Sequence, residues 1–363
     1  MSTPAKVPPA GVARAVDRIR HHLSRLRQRL VPPPVAMAEL ILGAWTSQAL
    51  QVAAELRIAD ALADGPLRLS DLAVRVGADP DALGRLMRAL ISCGVFGQRR
   101  DGRYHLNGLA DTLRSDAPIS MAGAARFYGS TQHREHWSLL AESIRTGKSI
   151  VEPLRGMDFF AYLGTQPQYA ALFNDAMTSI STAAVPSVVA AYDFSRHPTI
   201  VDVGGGHGGL LAAVLTAAPT SAGVLYDLPD VVAGAPDLLA RHGVERRVRV
   251  ESGSFFDAVP AGGDAYLLKH IIHDWPDEQA VTILQNIRVA LGHDGTVLLV
   301  EFVIPEHQRE FPGKWADLEM LLLGSSRERT AAEFRELLDK AGLRLTRIVP
   351  TASPFSIVEA ARA

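Results

Sequence analysis

Gly204-Gly205-Gly206-His207-Gly208-Gly209 satisfies the spacing G-x-G-x-x-G, directly after the apolar run Thr199–Val203. Glycines at this spacing let a chain turn sharply and lie close to a ligand. Asp227, at the end of the next apolar run, can accept hydrogen bonds from two ribose hydroxyls. Asp202 stands two residues before the glycines, where it can receive a ligand's ammonium group through water or backbone. Alone, these residues do not separate a dinucleotide from another adenosyl ligand. A pyrophosphate needs a helix N-terminus for its charge, whereas adenosylmethionine presents an amino-acid carboxylate and a ribose. Further along, His270 and His273 stand three apart. They could ligate a metal from one helical face, but no aspartate pair in the right context accompanies them, and no metal is expected. The single cysteine, Cys93, excludes an intrachain disulfide and a cysteine-based metal site.

The elements that must position these residues alternate. Thr199–Val203, Val224–Asp227, Val248–Glu251, Ala265–Lys269 and Val297–Val303 read as strands, with helices through Leu215 and over Ala280–Leu291. Such alternation predicts a parallel α/β sheet. A helix over Ala331–Ala341 and two strand-like runs joined through Pro350 to Pro354 predict an antiparallel excursion at the sheet edge. The expected fold class is α/β, a seven-stranded Rossmann-like sheet.

Upstream the pattern is helical. Ser70 is a plausible N-cap for a helix through Val76, closed by Gly77. Asp79-Pro80 opens the next helix, with Leu83, Leu86, Met87 and Leu90 on one face, and Gly94 stops it. A hairpin follows around Arg99–Gly102. Helix, turn, helix and hairpin make a winged-helix pattern. Some winged helices bind DNA, but Arg85 and Arg88 stand without a Lys/Arg run, which favours a dimerisation or substrate-lid domain. Trp137, Leu140 and Ile144 fall at helical spacing, with Gly147 ending that helix. Before all this, Val12, Val16, Ile19, Leu23, Leu26 and Leu30 form a narrow helical stripe among arginines, closed by Pro32-Pro33-Pro34. This basic arm is expected to pack on its own body or a partner subunit; peripheral contact with an anionic membrane is the second reading. Three regions result: a basic amphipathic arm over 1–35, a winged-helix and helical domain over 36–185, and a ligand-binding domain over 186–363.

Val201–Gly208, then Tyr226-Asp227-Leu228-Pro229, then Lys269-His270-Ile271-Ile272-His273-Asp274-Trp275-Pro276-Asp277-Glu278, then Glu328-Arg329-Thr330 with Glu333-Phe334 stand in order. Over residues 36–363 this resembles the S-adenosylmethionine-dependent small-molecule O-methyltransferases of the plant caffeate type and their bacterial antibiotic, phenazine and pigment relatives. The His-Asp-Trp block and its place after the glycine loop are specific; the loop alone is not. The resemblance implies a homodimer held by the N-terminal winged-helix domain. It also implies methyl transfer to a hydroxyl, most simply a phenol, of a small secondary-metabolite-like molecule.

By the same resemblance, Asp202, Gly204, Gly206, Asp227, Leu228, Ser254, Phe255, Lys269 and Ser181 bind the cofactor. Ser254 stands where many relatives carry an acid, and being short and neutral it weakens the expected bond to the adenine amine. Met177, Met320 and Asp274 match positions that meet the acceptor. His273 matches the general base, with Glu301 and Glu328 as flanking acids. A phenol of pKa about 10 is mostly protonated at neutral pH. A neutral imidazole within reach can take that proton as the new bond forms, contributing about 10² to 10⁴ in rate. A carboxylate on the other ring nitrogen fixes the tautomer. The residues taken singly have blander readings. His273 and Asp274 could serve a helix entry, Lys269 a surface ion pair, and Met177 and Met320 the core. Some members of the family keep the cofactor site yet hydroxylate or decarboxylate. The glycine loop taken alone also suits a nicotinamide-dependent oxidoreductase, and the winged-helix pattern taken alone suits a DNA-binding regulator.

The charge balance of 37 Lys+Arg against 39 Asp+Glu argues against a nucleic-acid partner. No run of 18 apolar residues predicts a membrane span, and the basic N-terminus lacks the apolar core of a signal peptide. A reducing, cytoplasmic setting fits one cysteine.

Overall fold

The computed structural model describes residues 7–324 and 326–363. The chain packs as two compact units. One holds residues 184–363 together with Glu142–Pro153 and the chain up to His22; the other holds Leu23–Ala141 and Leu154–Ala183.

The helical unit carries the predicted winged-helix elements. Helix Leu69–Val76 ends at Gly77 in the left-handed conformation, and helix Pro80–Ser92 starts from Asp79, whose carboxylate accepts from the Ala82 amide. The wing is short: β1 (Gly97–Gln98) pairs antiparallel with β2 (Tyr104–His105). Ile58, Leu72, Met87 and Leu90 form its core. Two local expectations fail. Ser70 lies inside its helix, which Arg68 precedes without a side-chain cap. Trp137 and Ile144 belong to separate helices, Thr131–Ser138 and Leu140–Thr146, because the chain breaks at Leu139. Arg85 pairs with Asp81 on its own helix.

The arm is a helix over Ala10–Arg29, and its stripe stays exposed, with Ile19 at 59% and Leu30 at 76% accessibility. Packing of this stripe on the chain's own body is therefore not seen. Pro32–Pro34 do more than stop the arm: Pro33 opens the next helix, Pro33–Ile41, where a missing N–H costs nothing. Among the described residues no helix is long and apolar enough to cross a membrane.

The other unit is built on a mixed sheet. Its strands are β3 (Thr199–Val203), β4 (Ala222–Asp227), β5 (Val248–Ser252), β6 (Ala265–Lys269), β7 (Thr296–Ile304), β8 (Arg329–Thr330), β9 (Leu343–Pro350) and β10 (Phe355–Arg362). The order across the sheet is β5-β4-β3-β6-β7-β10-β9. β3 to β7 run parallel, and β10 lies antiparallel between β7 and β9. The seven expected strands are present, and an eighth, the two-residue β8, pairs with the end of β7. β3, β6 and β7 are buried along almost their whole length, hence their continuous apolar runs. Tyr266, Leu268, Ile283, Leu299, Phe334 and Val358 fill the layer between sheet and helices. Strand order reverses at β3 and β6, and ligands of open α/β sheets bind outside the carboxyl ends of strands at such a point.

Candidate active site

The glycine loop leaves β3 at this carboxyl edge. Gly204, Gly206 and Gly208 all have positive φ, and a Cβ on Gly204 would lie 2.5 Å from Ile271 Cδ1. Space beside Gly206 is open. Asp227 ends β4 and ties the loop down: its Oδ2 accepts from the Gly206 amide at 2.8 Å and its Oδ1 from the Leu228 amide at 2.7 Å. Each oxygen keeps a lone pair for another donor. Asp202 is buried beneath the loop, and its Oδ2 has no partner. Burial lifts this carboxyl to about 7, while Lys269 opposes the rise and Asp227 adds to it. An unpartnered buried oxygen, a carboxylate with spare lone pairs and a loop stripped of side chains fit a cationic ligand that carries a ribose.

Leu228 is exposed beside Asp227. Phe255 lies next to Gly204 and packs with Phe256 and Trp275. The Ser254 hydroxyl accepts from the Phe256 amide and so shapes this turn. Asn286, which carries no motif in the sequence, donates to the carbonyls of both Phe255 and Phe256 from the helix Asp277–Ala290. Lys269 ends β6 and is no surface ion pair: burial pushes its ammonium below the usual range, against Asp202, Glu301 and Asp274.

His273 sits just beyond β6, on a single 3-10 turn, Ile272–Asp274. The turn follows His270, which adopts φ 55° and packs against the stacked rings of Phe302 and Phe355. The His273 ring is buried, with Nδ1 2.7 Å from Glu328 Oε1 and Nε2 3.3 Å from Asp274 Oδ1. Burial alone would lower the imidazole, but Asp274, Glu328 and Glu301 outweigh it and lift it to about 10. The two flanking acids have different tasks. Glu328 bonds the ring. Glu301, on β7, instead accepts from the Ile271 and Ile272 amides at 3.2 and 2.9 Å and so grips the backbone that carries the ring. Burial raises Glu301 to about 7, partly offset by His273. Asp274 is not a helix cap, since the helix after it starts from Pro276 without a side-chain cap.

One more residue holds the turn. Arg329, from β8, is fully buried; its guanidinium donates to the carbonyls of Ile272 and Trp275 and to Asp277 Oδ1. It stands beside Glu328 in sequence, so the segment that reaches the ring also clamps the turn on both sides of it. The capping box of Thr330 and Glu333 then starts the next helix. A T-x-x-E spacing could have marked that start; nothing marks Arg329 as buried.

Ligand atoms of His273, Glu301 and Glu328 lie within 4.8 Å of one another, a spacing that could hold a metal ion. The 2.7 Å contact between His273 and Glu328 is a hydrogen bond. It is shorter than the ~3.4 Å that separates two ligands held at ~2.1 Å on tetrahedral zinc. His270 is not in this group, and its Nε2 is buried without a partner. Met320 is half-buried on the helix Gly313–Gly324 of the same unit. Met177 and Ser181 are half-buried on the long helix Pro167–Ala191, in the part belonging to the helical unit.

Residues 137–344 match the O-methyltransferase domain, and residues 38–116 match the O-methyltransferase dimerisation domain. The chain belongs to the O-methyltransferase family. A phenazine O-methyltransferase of Lysobacter antibioticus is 41% identical over 92% of this chain and 98% of its own length. The solved structure of a mitomycin 7-O-methyltransferase superposes with a TM-score of 0.83 at 38% identity, covering 91% of this chain and 98% of that one. An O-methyltransferase from neocarzinostatin biosynthesis, solved with S-adenosylmethionine and 2-hydroxy-5-methyl naphthoic acid, superposes with a TM-score of 0.73 at 36% identity, covering 88% of this chain and 96% of that one. Membership makes the chain an S-adenosylmethionine-dependent O-methyltransferase, and these relatives support neither the oxidoreductase nor the DNA-binding reading.

Proposed function

We propose that this O-methyltransferase methylates a phenolic hydroxyl of a small secondary-metabolite-like molecule, with His273 as general base. Bound S-adenosylmethionine supplies a methyl group on a sulfonium sulfur, whose departure as a neutral thioether needs no acid. The chain's own task is to hold the acceptor oxygen in line and receive its proton. Glu328 fixes the ring through Nδ1, which leaves Nε2 as the nitrogen for the acceptor. Glu301 and Arg329 fix the turn beneath it. Asp227 holds the ribose, Gly204 and Gly206 let the methionyl part lie against the backbone, and Phe255 stacks near the adenine with Ser254 beside it. Asp202 and Lys269 set the charge under the loop. Met320 and Asp274 meet the acceptor ring, and by the family resemblance Met177 is an acceptor residue and Ser181 a cofactor residue. The observation that carries this reading is the buried 2.7 Å hydrogen bond from His273 to Glu328, at the same sheet edge as the glycine loop. Such a pairing orients an imidazole and stabilises its protonated form as the proton arrives.

Residues 38–116 support a homodimer, with the arm over 1–35, the helical domain over 36–185 and the catalytic domain over 186–363 as its parts. The single cysteine fits the cytoplasm. The test is direct. S-adenosylhomocysteine should raise the melting temperature, and phenolic phenazine and naphthoate acceptors should take up labelled methyl from S-adenosylmethionine. An unmoved melting temperature at saturating ligand sinks the cofactor assignment. Binding without label on any phenol sinks the acceptor assignment.

A further inference from the structure

Both nitrogens of the His273 ring face carboxylate oxygens, Nδ1 towards Glu328 and Nε2 towards Asp274. A neutral imidazole has one N–H and one lone pair. The doubly protonated ring keeps its Nδ1–H bond to Glu328 and sets its positive charge 3.3 Å from Asp274 Oδ1, a close ion-pair contact that a neutral ring would lose. The surroundings reinforce this. Glu301 on β7 presents a third carboxylate within 4.8 Å, with one oxygen buried and unpartnered. Asp317 holds the Glu328 amide from the other side. Just past β6, burial drives His270 well below its usual range, and at the strand's end it lowers Lys269.

The two partners of the ring differ in freedom. The Glu328 side chain is wholly inaccessible, whereas that of Asp274 is 27% exposed. Asp274 also caps no helix. One partner is built in and the other can leave.

The geometry points to Asp274 as a charge lock on the base: it keeps His273 doubly protonated while the acceptor is absent, and the entering acceptor displaces it and frees Nε2. This rests on the reading of His273 as the base. On displacement the Nε2–H bond breaks, its electron pair stays on nitrogen, and the proton passes to water. In the chemical step that pair takes the proton of the acceptor hydroxyl. The acceptor oxygen bonds the methyl carbon, and the electrons of the S–CH₃ bond remain on sulfur. His273 ends doubly protonated again, so the one proton released per turnover leaves before methyl transfer. Asp274 is thus a positioning residue acting through His273.

The test begins on ligand-free wild-type protein, with ¹⁵N resonances of the His273 ring assigned by H273Q. Near neutral pH both ring nitrogens should carry protons. In Asp274→Asn the ring should become neutral about 1–3 pH units lower, the effect of losing one close opposite charge. A wild-type ring found neutral at that pH, or an unchanged titration in D274N, overturns the proposal. Kinetics supply a second readout. The acid limb of kcat/KM reports the free enzyme and that of kcat the loaded one. The D274N substitution should move the first to lower pH and the second less; equal displacement of both overturns the lock. The ring measurement needs no turnover, so a missing methyl transfer would sink the proposed function without deciding this point. A melting-temperature rise with S-adenosylhomocysteine shows that D274N is folded.

Discussion

At the ends of β3 and β4 the sheet edge is lined by backbone, while at the ends of β6 and β7 it is lined by buried charge. The glycine loop presents amides and positive-φ glycines, tied by one carboxylate, Asp227. The His273 turn presents a ring whose place is set by side chains from other segments: Glu301, Glu328 and Arg329. A backbone cradle recognises a ligand by shape, with Asp202, lifted to about 7, as a titrating group beneath it. A side-chain cage stores charge, and its state depends on pH and on each member of the set.

Three experiments bear on this contrast. The largest effect belongs to the charged side. His273→Gln should lower kcat by about 10² to 10⁴, with S-adenosylhomocysteine affinity nearly unchanged in calorimetric titration. A comparable loss of affinity would mean that the two sides are one site energetically. The same variant tests the stored charge. Folded His273 keeps its proton to about 10, against 6.5 as its ordinary value. The stability this gives is complete below pH 6.5 and is lost as pH rises towards 10. The thermal advantage of wild type over H273Q should therefore narrow across that window; a constant gap would leave the stored charge without effect on stability.

Arg329→Met comes next. It leaves the Ile272 and Trp275 carbonyls without their donor and should cost about 2–4 kcal/mol in chemical denaturation. Turnover should fall further than cofactor affinity, because the turn that carries the base loosens while the glycine loop does not. Equal falls would show that Arg329 serves the whole edge.

Gly204→Ala is the smallest. A left-handed alanine costs about 1–2 kcal/mol, and its Cβ would press on Ile271. Affinity for S-adenosylhomocysteine should weaken about tenfold, about 1.4 kcal/mol, with the pH profile of kcat unmoved. A shifted profile would couple the loop to the base.

The same contrast explains what is legible in the sequence. Gly204, Gly206 and Asp227 are legible because a backbone cradle demands particular residue types at fixed local spacing. β3, β6 and β7 are legible because burial on both faces makes apolar runs, whereas the two-residue parallel β8 is not. His273 is legible through the block around it, and Glu328 through a short motif. Arg329 is not, since an arginine reads as surface until the fold shows three acceptors waiting for it. Asn286 is hidden in the same way, its two carbonyl partners lying about thirty residues upstream. Glu301 is legible as an acid of the site but not in its contact, because sequence cannot tell an acid that touches a ring from one that holds the backbone under it. The break at Leu139 runs against expectation because helical spacing does not say where a helix stops, and the exposed arm stripe does not pack on the chain's own body, one of its two expected partners, because spacing does not say what a helix faces.

The pairing of β3 with β6 has a kinetic consequence. These neighbours are separated in the chain by the whole of β4 and β5, so their ladder closes only after a long loop has been brought round. Local helices and the wing form from near contacts, whereas such non-local parallel pairing is slow. The glycine loop and the His273 turn meet across this one ladder, so no folding intermediate that lacks it can bind ligand. Recovery of S-adenosylhomocysteine binding during refolding would therefore time the closing of the sheet itself.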